Sequence, residues 1–267
     1  MSSFKNLKAF VLLVTHNFLK DDCFYRASAL AFTSLLAIVP LMYVGLSALT
    51  FFEPFQALAE PLQNFIFKNF VPATGKVVQD YLQQFTAQAG KLPFWDLLFL
   101  LVTSVFMMIT IEYAMNTIWR TPNARHNLKA ISLYCMMLIV TPVLLGLSLA
   151  LSSYVIALPI LQLGHSGVLI SKSMPLIFSL LGFTLLYVIV PNAPVKFSEG
   201  LMGGLCATIL FELAKHVFAF YISRYNSYTL LYGSLAVIPV FFIWVYWVWL
   251  ITLLGAEVSY AFGKKRM

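Results

Sequence analysis

The sequence predicts an all-α polytopic membrane protein, with six transmembrane helices, an N-terminal amphipathic helix and short external helices between spans one and two. Three observations predict it. Of the 267 residues, 61% are apolar and 10% charged, against roughly 25% charged in a soluble domain. The apolar residues gather in runs near the roughly 20 residues that a helix needs to cross the hydrocarbon layer. The runs are too long and too continuously apolar for barrel strands, and lipid leaves the backbone no other way to satisfy its polar groups.

The whole chain, 1–267, reads as a single integral membrane domain. Residues 1–26 open it with "FKNLKAFVLLVTHNFLK". At about 100° per residue, Lys5, Lys8, His16 and Lys20 share one face, and Phe4, Leu7, Phe10, Val11, Val14 and Phe18 share the opposite one. Such a helix lies along the membrane interface or packs on the end of the bundle. The expected spans are 27–52, 94–119, 130–158, 174–190, 200–222 and 234–262. The first is crowded with Ala, Ser and Thr, which suits close packing, and carries Pro40, which predicts a bend. Residues 53–93 form the longest loop. It holds amphipathic pieces broken by Pro72 and Gly75, with Val78, Tyr81, Leu82 and Phe85 at helical spacing. Lys and Arg set the orientation. With the N-terminus inside, eleven of the 17 lie on inside segments and five outside, while Lys215 falls within span five. Both termini are therefore expected in the cytoplasm.

The same composition argues against several functions. The net charge of +7 would suit nucleic acid, but the bases form no soluble patch and no nucleic-acid motif is present. Cys23, Cys135 and Cys206 are far apart, which predicts free thiols rather than a disulfide frame or metal knuckle. His16, His126, His165 and His216 show no metal spacing. No G-x-S-x-G or P-loop is present. Asp21 and Asp22 adjoin but point to different sides of a helix. No metal and no cofactor are expected. No cleavable signal peptide and no internal repeat is visible.

Charge inside a span costs about 2.5 to 3.5 kcal/mol at the centre, so the few polar groups there mark a pairing or a task. Span five, "EGLMGGLCATILFELAKHVFAFYI", is the richest. Gly204, Thr208, Glu212 and Lys215 fall within about 80° of one face. Gly200 and Gly204 form a G-x-x-x-G that lets a neighbouring helix come close. Glu212 and Lys215 are placed to pair, and His216 is placed to share a proton with Glu212. Either a polar path or a tight helix contact follows. In span two, Glu112 and Asn116 share a face, and Asn in a membrane helix commonly bonds a neighbour. Near the inner end of span six stands Glu257, beside Gly255 and Ala256, which permit close contact. That acid either reaches cytoplasmic water or accepts from a buried arginine such as Arg26 or Arg120.

Five stretches carry a family resemblance: "RASALAFTSLLAIVPLMYV", "IEYAMNTIWRTPNAR", "LYVIVPNAPVKFSEGLMGGL", "FELAKHVFAFYI" and "YGSLAVIPVFFIWVYWVWLITLLGAE". Together and in this order, over nearly the whole chain, they resemble the YihY/BrkB family of bacterial inner-membrane proteins, which carries the old label "ribonuclease BN". The resemblance implies a six-helix inner-membrane protein and supplies no agreed catalytic residue. The family's recurring positions stand here as Glu112, Asn116, Trp119, Pro191, Asn192, Gly203, Glu212, Lys215, Tyr232, Gly233, Gly255 and Glu257.

The leading functional expectation is transport or lipid handling through a polar site of Glu112, Asn116, Glu212, Lys215 and His216, with anionic lipid as a partner. The alternative is a membrane scaffold or assembly factor, docked on another membrane protein or on a second copy. An enzyme, the nuclease included, is not expected.

Overall fold

The computed structural model describes residues 2–50, 94–121, 166–224 and 237–264. Among them every regular element is a helix: α1 Ser2–Lys20, α2 Cys23–Thr50, α3 Phe94–Ile118, α4 Ser166–Ile189, α5 Phe197–Arg224 and α6 Val237–Lys264. Helices α5 and α6 contain stretches long and apolar enough to cross a membrane, Phe197–Ile222 and Pro239–Lys264. Shorter apolar helical stretches cover Cys23–Ala37, Val102–Ile118 and Pro175–Ile189. The expected span 130–158 and the external helices of 53–93 lie outside the described residues.

Local chemistry sets the helix ends. Helix α2 runs through Pro40, and α6 begins with Pro239 in its first turn, where a missing N–H costs nothing. Helix α4 begins at Ser166, ahead of the expected 174: Ser171, Lys172 and Ser173 end the apolar run, not the helix. It stops ahead of Pro191, as a residue before proline disfavours helix. At the start of α5 the Lys196 N–H donates to Glu199 Oε2 (3.2 Å), half of a capping box.

Helix α6 is the centre. It packs on all five other described helices, most extensively on α5 and then α2. Helices α4 and α5 lie side by side, as do α2 and α3. The α5/α6 approach is close because Gly203 faces Gly255 across it. Gly200 and Gly204 abut Thr184, Val188 and Leu180 of α4, so this G-x-x-x-G serves packing within one chain. Between α2 and α6, Trp249 Nε1 donates to Ser34 Oγ (2.8 Å). Tyr187 of α4 donates its hydroxyl to the Thr252 carbonyl of α6 (2.8 Å).

Helix α1 packs on α6 and α2. It buries Val14, Asn17 and Phe18, and the stripe continues into Asp21 of the following turn. Val11, on the expected apolar face, is 54% exposed. The buried stripe is rotated off the apolar face, and its polar member Asp21 enters the contacts described next.

Candidate functional site

One end of the bundle gathers the α1–α2 turn, the C-terminal ends of α3, α4 and α6, and the start of α5. Backbone geometry prepares it. Asp22 takes a left-handed conformation (φ 52°) and lets the chain turn from α1 into α2. Arg120 does the same after α3 (φ 58°). Its N–H donates to the Thr117 carbonyl and the Thr121 N–H to that of Asn116. That is a Schellman cap with arginine where glycine is usual.

Side chains then lock the end. Arg120 Nη1 forms an ion pair with Asp21 Oδ1, tying α3 to the α1–α2 turn, and its guanidinium lies over the Tyr260 ring of α6. Burial works against the Arg120 charge, but the bond to Asp21 and the Asp21 charge outweigh it and hold the guanidinium proton more tightly than usual. Arg26 donates Nε–H to the Asp21 carbonyl (2.8 Å) and stands over Tyr113. Asn116 makes a second tie: Nδ2–H donates to Glu112 Oε1 (3.3 Å), and Oδ1 accepts from the Asn192 N–H (2.7 Å) in the α4–α5 turn.

Four carboxyls are buried here: Asp21 at 4%, Glu112 at 2%, Glu257 at 0% and, capping α5, Glu199 at 8% exposure. Glu257 therefore does not reach water, which removes one of its two expected roles. Nor does it bond an arginine: Arg120 and Arg26 both turn to Asp21. The Asp21 and Glu257 carboxyls stand within hydrogen-bonding reach of one another. Ionised, neither can donate, so Asp21 Oδ2 and both Glu257 oxygens find no partner among the described residues.

The expected polar set divides in two. Glu112 and Asn116 belong to this end. Glu212, Lys215 and His216 sit on α5, which shares no substantial contact with α3. Lys215 Nζ pairs with Glu212 Oε1 at 2.7 Å, and the ammonium also lies over the Phe211 ring. His216 donates Nδ1–H to the Glu212 carbonyl (2.8 Å), so its near nitrogen serves the backbone, not the Glu212 carboxylate. Thr208 is buried, its hydroxyl without a partner among the described residues. Replacing both Glu212 and Lys215 by leucine is expected to change stability by no more than about 1 kcal/mol, since a pair removed whole leaves no orphan charge. Thermal unfolding in detergent checks it, and a loss several times larger would show that the two side chains do more than neutralise one another.

Asp21 is the residue that sequence reasoning missed. It follows Asn17 and Phe18 by four and three residues, on the buried stripe of α1. Among the described residues no three His, Cys, Asp or Glu side chains converge as metal ligands. Cys23 and Cys206 are free thiols, and Cys135 lies outside the described residues.

The family described as "Virulence factor BrkB" matches residues 14–267. The chain belongs to that family. A UPF0761 membrane protein of Legionella pneumophila is 58% identical over 262 residues, 98% of this chain and 64% of the relative. One of Photobacterium profundum is 41% identical over 265 residues, 98% of this chain and 83% of the relative. One of Azotobacter vinelandii is 42% identical over 244 residues, 90% and 60%. The chain thus spans less than two thirds of the length of the Legionella relative. No solved structure matches. This is a membrane protein of the BrkB family, and its polar cluster lies at the α1 end of the bundle.

Proposed function

We propose that this is a six-span protein of the bacterial inner membrane, with both termini cytoplasmic, that moves a charged or amphipathic substrate, lipid included, past the polar cluster at the α1 end. On this reading the cluster lies on the cytoplasmic side, and Lys5, Lys8, His16 and Lys20 of α1 attract anionic head groups there. One observation carries the reading: Glu257 is wholly buried with neither oxygen bonded among the described residues. A part with no task beyond holding shape is better made of apolar side chains, which often replace buried ion pairs at no loss of stability. Intramembrane acids that persist line pathways and relays.

The test is flux in proteoliposomes for labelled lipid and for protons, comparing wild type, Glu257→Gln and Glu212→Gln. The expected result is flux in wild type and Glu212→Gln and its loss in Glu257→Gln. Wild-type flux that survives in Glu257→Gln removes the cluster from the path. No flux in any, with folding intact and a control transporter active, gives the protein to the second reading.

That second reading is a scaffold docked on another membrane protein or a second copy. The closed Glu212–Lys215 pair on α5 favours it, as do the glycine contacts that leave no space between α5 and α6. A nuclease is not proposed, because carboxyls buried this deeply cannot reach a nucleic-acid backbone.

A further inference from the structure

We propose that Asp21 and Glu257 share one proton, making a proton-binding site sealed between the α1–α2 turn and α6.

The geometry poses a problem that a proton solves. Of the four carboxyl oxygens, only Asp21 Oδ1 has a donor among the described residues, from Arg120. The other three are buried and unbonded among the described residues, although the two carboxyls are within bonding reach. Two carboxylates at that range repel and cannot bond. One proton turns one group into a donor and the other into its acceptor. Two orphan oxygens are satisfied at once, and the repulsion ends.

The charges nearby agree. Arg120 balances one of the two acids. The Arg26 guanidinium is spent on the Asp21 carbonyl and the Tyr113 ring. With both acids ionised, one negative charge stays buried beside the apolar core that holds Cys23, Ala27 and Ala256, and a proton cancels it. Among the described residues no other group facing Glu257 offers a remedy. From the α1–α2 turn, Asp22 is exposed and adds negative charge, while the Cys23 thiol is buried beside the pair. From α4, the Tyr187 hydroxyl is committed to Thr252. From α5, Glu199 lies farther down α6, against Gly263, and on α6 itself Tyr260 stands with Arg120. A metal cation fits worse than a proton: the Arg120 charge opposes it, and no third His, Cys, Asp or Glu ligand converges there among the described residues.

Loss of the proton would set the α1–α2 turn and α6 against each other by charge repulsion. The use of that push to couple proton movement to substrate movement rests on the transport reading above, whereas the proton site does not.

The test is difference infrared spectroscopy on the full chain in lipid, which reads the carbonyl stretch of a protonated carboxyl. The expected result is such a band at neutral pH in wild type, lost in Glu257→Gln and kept in Glu112→Gln and Glu212→Gln. Absence of the band in wild type, or its survival in Glu257→Gln, overturns the proposal. Thermal unfolding against pH is the second measurement. Ordinary carboxyls of the unfolded chain have released their protons above about pH 4. A fold that keeps one loses stability as pH rises, until the folded pair releases it too. Wild type should therefore weaken toward alkaline pH. Glu257→Gln, whose amide resembles the protonated acid, should be flat over that range and at least as stable at its alkaline end. A Glu257→Gln protein that is weaker than wild type at every pH, or fails to fold, shows an ionised Glu257 and overturns the proposal. Neither readout needs flux, so a proton site without transport and transport without a proton site give different results.

Discussion

Arg120→Ala is expected to destabilise the protein by about 2 to 3 kcal/mol. Breaking a sealed ion pair by removing one partner costs about 3 to 5 kcal/mol, because the other charge is left buried. The Asp21 side chain is sealed at 3% exposure, but Arg120 is 36% exposed, and solvent screening lowers the figure. Two features make the result diagnostic. Arg120→Gly should be about 1 kcal/mol milder than Arg120→Ala, since φ is 58° there and glycine alone takes that conformation freely. Asp21→Asn combined with Arg120→Ala should cost clearly less than the two single losses added, the mark of a direct pair. Unfolding in mixed micelles measures the four variants against wild type. Additive losses would mean that Arg120 acts through its cap and its Tyr260 contact rather than through Asp21.

The helices were legible because long apolar runs leave little choice, and five of the six expected spans have a described helix in place. Their ends were less so. Helix α4 extends through Ser171–Ser173, since a helix tolerates polar residues that an apolar count rejects. The site was half legible. Glu112, Asn116 and Glu257 stand out in any sequence reading as polar residues in apolar surroundings, and all three are buried. Which helices adjoin was hidden. That Glu212 faces Lys215 rather than Glu112 depends on α6 packing on both α3 and α5, and no residue spacing within one helix encodes that. Asp21 was hidden for another reason. It lies ahead of the first apolar run and reads as an ordinary solvated acid, until the turn at Asp22 folds α1 back onto α6.

Gly203→Leu and Gly255→Leu are each expected to cost about 3 kcal/mol or more, since overpacking already costs about 1 to 3 kcal/mol where neighbours can shift. Here they cannot. A Cβ on Gly203 would strike the Gly255 carbonyl and the Ser259 Cβ (2.7 Å). A Cβ on Gly255 would strike the Tyr187 hydroxyl, the Ala207 Cβ (2.8 Å) and the Gly203 carbonyl (3.0 Å). Backbone cannot step aside without parting α5 from α6. Tyr187 is fully buried, stacked with Phe183 and bonded to Thr252. Gly182 is the control: nothing lies within 4 Å of a Cβ built there, so Gly182→Ala should stabilise by about 0.5 to 1 kcal/mol through helix propensity alone. The sharpest comparison adds Tyr187→Phe, which removes the hydroxyl that Gly255→Ala meets. Gly255→Ala should therefore cost less in a Tyr187→Phe background than in wild type, and Gly203→Ala should not, because its obstacles are the Gly255 carbonyl and Ser259. Equal costs in both backgrounds for Gly255→Ala would place the limit at Ala207 and the Gly203 carbonyl, and so make the α5/α6 contact, rather than α4, the surface that demands glycine.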